Sequence, residues 1–182
     1  MKNKKIMFLF ITILLQITVL IGEYLGSVYP HWTGKEIVLE IRPVDPRSLF
    51  RGQYVRLDYT IGQLSGDILK GLNKDIKKLR INEIVYVSLK EQEGVWKADE
   101  ISLFKPNNKL FICGRVNRNW RSNTLNLKYG IEAYFTSPKR ALDLENSVRN
   151  NARNKKAFAS VMVAPNGKVA LKDVIIKDKP LN

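Results

Sequence analysis

The nine residues "RGQYVRLDY", Arg51 to Tyr59, join a glycine and two tyrosines to alternating apolar and charged positions. Such a stretch fits a catalytic loop, a ligand loop, or a turn that feeds a strand. Alternation favours the last: Tyr54, Arg56 and Asp58 fall on one side, and Val55, Leu57 and Tyr59 on the other. Just upstream, "PVDPRSLFRG" (43–52) carries two prolines, Asp45 and Gly52 and reads as a structured turn. Before it, "EIVLEIR" (36–42) sets Ile37, Leu39 and Ile41 against Glu36, Glu40 and Arg42, with Val38 the exception, as in a half-buried strand.

The same reading extends to "EIVYVSL" (83–89), "VWKADEISLF" (95–104), "KLFICGRV" (109–116), "TLNLKYGIEAYF" (124–135), "AFASVMVA" (157–164) and "KVALKDVII" (168–176). "APNGKV" links the last two as a hairpin, because Asn166 and Gly167 both tolerate the positive φ of a type I′ turn. "FKPNNKL" is read as a less specific turn between two others. Two short helices are expected. One lies in "SGDILKGLNKDIKKL" (65–79), and the other begins at Ser137 as N-cap with Pro138 in the first helical position. Across "YGIEAYF", Tyr129, Ile131, Ala133 and Phe135 are expected on one side, with Glu132 and Tyr134 on the other. The expected fold is mainly β: a compact sandwich or barrel of about eight strands with one or two short helices.

Ahead of these strands, "MKNKK" precedes "IMFLFITILLQITVLIG", seventeen residues from Ile6 to Gly22 without a charge. At ~1.5 Å per residue this run reaches about 25 Å, the short end for a bilayer core of ~30 Å. Tyr24, Tyr29 and Trp32 suit a membrane–water interface, and Pro30 is expected to end the helix. No small residue stands where a signal-peptide cleavage site would need one, so an uncleaved anchor is favoured over a cleaved signal, and both export the rest of the chain. The lysines flank only the N-terminal side, which keeps that end cytoplasmic. The expected organisation is a basic tip (1–5), a transmembrane anchor (6–29), a linker (30–35), an extracytoplasmic β domain (36–178) and a tail (179–182).

Lys and Arg number 31 against 17 Asp and Glu, a formal charge of +14. Removing Lys2, Lys4 and Lys5 leaves about +11 for the exported part, a surface that favours anionic lipid or envelope polymer. Nucleic acid is not an expected partner outside the cytoplasm. The single histidine, His31, argues against His-based triads and multi-histidine metal sites. Cys113 has no partner for a disulfide and is read as a buried strand cysteine. No metal, cofactor or catalytic residue is expected.

"RPVDPRSLFRGQYVRLDY" resembles the signature of the GDYXXLXY family of membrane-anchored bacterial proteins, with Gly52, Tyr54, Val55, Leu57 and Tyr59 fitting and Gln53 replacing the aspartate. "GRV" (114–116), "LKYGIEAYF" (127–135) and "VMVAPNGKVALKDVII" resemble its later blocks. The resemblance implies an anchored topology and an integral membrane protein as partner. An obligatory acid, base or metal ligand could not be replaced by Gln53, so a structural turn is favoured there. Gly52 then marks a backbone angle or close approach.

Arg42, Asp45, Arg47, Arg51, Arg56 and Asp58 read either as ion pairs bracing the turn or as an anion site in which Arg47 and Arg51 present forked donors. "GRVNRNWR" adds Arg115, Arg118, Trp120 and Arg121, a pattern that grips a polyanion or caps a sheet. Glu132 would pair with an arginine such as Arg115 or, in a cleft, act as a general base. "SLFRGQYV" also superficially resembles a segment of bacterial signal peptidases, with Ser48 as nucleophile and Lys90 as base, although the spacing is imperfect. The leading expectation is a non-catalytic accessory or binding module acting with an integral membrane protein. Binding of anionic lipid or envelope polymer is the alternative.

Overall fold

The computed structural model describes residues 2–42, 54–65, 68, 69, 72, 79–117, 124–137, 139, 140 and 155–178. It begins with one helix, α1 (Lys2–Thr33), whose apolar side chains are exposed from Ile6 to Leu25, while Pro30 near its end is buried. By length and composition the helix is able to cross a membrane. Pro30 does not end it. Proline lacks one N–H, a small loss in a last turn, and its own carbonyl still accepts the Gly34 N–H at 2.9 Å. The stretch 30–35 is therefore helix up to Thr33, then Gly34, then the first strand residue. A Cβ on Gly34 would sit 2.3 Å from the Pro30 oxygen and 3.1 Å from the Val163 backbone, so glycine lets helix, first strand and sheet meet at one point.

The remainder is strand-rich: β1 (Lys35–Arg42), β2 (Tyr54–Arg56), β3 (Asp58–Tyr59), β4 (Gln63–Ser65), β5 (Ile84–Gln92), β6 (Val95–Ser102), β7 (Phe111–Asn117), β8 (Thr124–Lys128), β9 (Ala133–Phe135), β10 (Lys155–Val163) and β11 (Val169–Asp178). The main sheet runs β11-β10-β1-β6-β5-β7-β8-β4, with β2 and β9 forming a separate pair. The sheet curls. Residues 58–65 pair with β1 at their start (Ile41 to Tyr59) and with β8 at their end (Leu64 to Leu125), bridging the gap between distant strands. The sheet is thus a curled half-barrel, nearer to the barrel alternative than to the sandwich. Ile37, Leu39, Val85, Val87, Ile101, Ile112, Leu125 and Val161 fill its inside, each almost wholly buried.

Several local expectations change. The β10–β11 loop is not a type I′ turn, since only Gly167 has positive φ (81°) and Asn166 does not. Pro165 fixes a negative φ, so the chain makes a type I-like turn closed by Gly167 N–H to Ala164 O at 2.9 Å. A two-residue turn with both central φ positive occurs instead at Glu93 (53°) and Gly94 (75°), between β5 and β6. "FKPNNKL" does not join neighbours, because β5 lies between β6 and β7. The stretch 124–135 is two strands separated by residues 129–132, with Gly130 at φ 83°; Ile131 still shares the buried face of Leu127 and Tyr129, and the faces reverse only after it. Beyond it Phe135 is 74 % exposed while Tyr134 packs on the core.

Of the expected helices, Leu69, Leu72 and Leu79 are buried, and the rest of 65–79 lies largely outside the described residues. At the other, Arg140 N–H donates to Ser137 Oγ at 3.4 Å, the contact an N-cap makes, and the segment beyond Arg140 is not described up to Lys155.

Candidate functional site

The stretches that stand out in the sequence converge in space. Strand β2 pairs with β9, Tyr54 opposite Phe135 and Arg56 opposite Ala133. The ladder continues as Leu57 N–H donates to Glu132 O at 2.8 Å. Two buried tyrosines then brace the same segments in opposite senses. Tyr59 OH donates to Ile131 O at 2.8 Å, and Tyr129 OH donates to Ile61 O at 2.7 Å. Burial, reinforced by the nearby Glu132 charge, pushes both phenols well above their ordinary range, so they stay neutral donors. Gly114 lies against Tyr129: a Cβ there would meet the ring at 3.0 Å. The β10–β11 turn docks on β7, with Cys113 N–H donating to Gly167 O at 2.9 Å.

Residues 16–174 match the family model described as GDYXXLXY protein. The chain belongs to the GDYXXLXY family. No curated protein and no solved structure matches it. In this GDYXXLXY chain the described half of the signature is a brace: Leu57 and Tyr59 are buried, and each ties the signature to the "YGIEAYF" block. Gly52 and Gln53 lie outside the described residues, as do Arg47, Arg51, Arg118, Trp120 and Arg121. Tyr54 and Val55 are placed by their backbone in β2.

Two clefts flank this brace and share Lys128, Tyr129 and Glu132 in their walls. The smaller, about 150 Å³, holds the described part of the arginine–aspartate cluster. There Arg56 stands 3.8 Å from Asp58, and Arg42 donates to the Gln63 side chain. These contacts are those of a bracing network, made by exposed groups of modest energetic weight.

The larger cleft, about 600 Å³, opens between the last turns of α1 (Gly26, Ser27, Pro30) and the face of β5, β7 and β8. Strand register builds its wall. Ile84 of β5 lies opposite Arg115 of β7, Tyr86 opposite Cys113, and Arg115 opposite Lys128 of β8. Arg115 and Glu132 therefore line one cleft, yet they are not paired. The Glu132 carboxylate accepts the Tyr129 N–H at 2.5 Å and the Gly130 N–H at 3.0 Å, holding the break between β8 and β9. Among the described residues Arg115 donates to the Asn82 carbonyl, at a long 3.4 Å. Cys113 is half-buried rather than buried, and burial pushes its thiol up.

Three contributors to this cleft carry no local sequence signal: Lys128, Lys168 and the small residues of α1. They meet only once the order β5-β7-β8 and the return of the β10–β11 turn are known. Among the described residues no group of three or more His, Cys, Asp and Glu could hold a metal ion. Ser48 lies outside the described residues, and Lys90 is exposed in register with Lys97.

Proposed function

We propose that this chain is a single-pass membrane-anchored module. Its β domain stands outside the cytoplasm and serves as a non-catalytic accessory or binding unit for an integral membrane protein. The observation that carries this reading is the junction at Gly34, where a helix with exposed apolar side chains from Ile6 to Leu25 passes through one glycine, set against the Val163 backbone, into β1. A helix so joined holds the domain in a set pose at the membrane surface. The lysines at its start and Tyr24, Tyr29 and Trp32 near its end supply the charge bias and interfacial anchors of an N-in orientation.

Photo-crosslinkers placed at Leu14 on the helix and Phe104 on the domain test the partner in intact membranes, both side chains being exposed. The expected result is one specific integral membrane protein captured from both positions. Capture of this chain alone under several chemistries contradicts it.

The second reading, an anionic lipid or envelope polymer bound through a basic surface, is favoured by Arg115, Lys128 and Lys168 lining one cleft. Binding of this kind weakens as salt rises.

A further inference from the structure

We infer that the cleft beneath α1 holds the headgroup of one anionic phospholipid from the leaflet at the C-terminal end of the helix. This rests on the anchored, basic-surface reading of the chain. Arg115 and Lys128 are direct cross-strand partners of like charge, an arrangement that costs stability unless an anion lies between or beside them. Lys168 adds a third cation from the β10–β11 turn, its Nζ 3.8 Å from where a Cβ on Gly26 would stand. Among the described residues no carboxylate pairs with any of the three. The one acid in the wall among the described residues, Glu132, is already engaged by two backbone N–H groups. Among the described residues the wall holds three cations against one acid, and a phosphodiester offsets part of that excess with oxygens suited to guanidinium and ammonium donors.

Shape and position select a lipid over a soluble polymer. The cleft, about 600 Å³, falls in the range of roughly 300–1,000 Å³ common for small-ligand sites, too small for a polymer strand but ample for a headgroup and glycerol. Its floor is partly apolar, with Ile84, Val169 and Pro30 beside the cations. One wall is the helix itself, at Gly26 and Ser27, whose small side chains leave the opening next to the exposed Leu25 and Tyr29. A lipid sliding along that helix reaches the cations without leaving the bilayer, and its acyl chains stay against the apolar helix surface.

Cys113, the one cysteine of the chain, lies in the wall and reports occupancy. The full-length chain is reconstituted into vesicles of phosphatidylcholine alone or with phosphatidylglycerol added, and alkylation of Cys113 by a neutral maleimide is timed. Phosphatidylglycerol is expected to slow alkylation by about threefold or more, the protection expected when the lipid fills most of the clefts. In Arg115→Gln/Lys168→Gln, and separately in Lys128→Gln, the two vesicle types are expected to give nearly equal rates. Equal rates in the unaltered chain overturn the lipid proposal and leave the anchor standing. Slowing that persists in all variants reflects surface potential alone and also overturns it. A chain that washes off both vesicle types at alkaline pH overturns the anchor reading and the lipid proposal with it.

Discussion

Replacing Tyr129 with phenylalanine removes one oxygen and nothing else. The ring keeps its packing against Gly114, but the Ile61 carbonyl loses the donor it holds at 2.7 Å. A buried acceptor stripped of its partner costs about 1–3 kcal/mol. For a chain of this size that corresponds to roughly 2–12 °C in melting temperature. Tyr59→Phe strips the Ile131 carbonyl in the same way and belongs in the same range. Because the two hydrogen bonds tie the same pair of segments, the double variant is expected to lose less than the sum of the single losses. The shortfall is about 0.5 kcal/mol or more, as for other residues that share a network. Urea unfolding of the full chain in detergent, followed by tryptophan fluorescence and circular dichroism, measures all three, with Tyr24→Phe on the exposed helix as the control. A Tyr129→Phe midpoint equal to that of the unaltered chain refutes the brace, and strictly additive losses refute the idea that the two tyrosines act as one device.

Gly167→Ala places a Cβ at positive φ, 2.5 Å from the Phe111 ring and 2.7 Å from Cys113 Sγ. Left-handed backbone costs about 1–2 kcal/mol and overpacking about 1–3 kcal/mol, so a loss of about 2–5 kcal/mol in urea unfolding and faster Cys113 alkylation are expected; an unchanged midpoint contradicts the docking of the turn on β7. Burial alone would raise the Asp173 carboxyl, but the Val174 N–H, Tyr134 OH and Arg140 outweigh it and hold the group below its ordinary value. Its contribution is therefore complete above the unfolded value of about 3.9 and is lost as pH falls through the folded one. In Asp173→Asn the fall of melting temperature below about pH 4 is expected to be shallower than in the unaltered chain, and parallel acid limbs contradict the assignment.

Alternation alone carried much of the fold. Ile37, Leu39 and Ile41 are buried as the period of two requires, and Leu57 and Tyr59 share an inward face. What alternation does not encode is which strands are neighbours. The chain passes from β6 over β5 to β7, and that skip brings Ile84, Tyr86, Cys113, Arg115 and Lys128 into adjacent rows. The cleft was invisible for the same reason, since its cations lie 13 or more positions apart in the chain. Pattern reading also fails at breaks. The alternation runs through Ile131 and slips before Ala133, so Tyr134 packs inward where the unbroken pattern put Phe135. At "APNGKV" the deciding residue is Pro165, which excludes positive φ at the first turn position whatever Asn166 tolerates.

The central claim is that α1 is an anchor with its lysines inside and its β domain outside. In a Cys113→Ser background, Glu93→Cys places a thiol at the exposed β5–β6 turn and Lys4→Cys places one at the start of the helix. A membrane-impermeant maleimide added to intact cells is predicted to label the position-93 thiol at once and the position-4 thiol only after permeabilisation. Labelling of position 4 but not 93 in intact cells, or of neither in a chain that fails to sediment with membranes, contradicts the account.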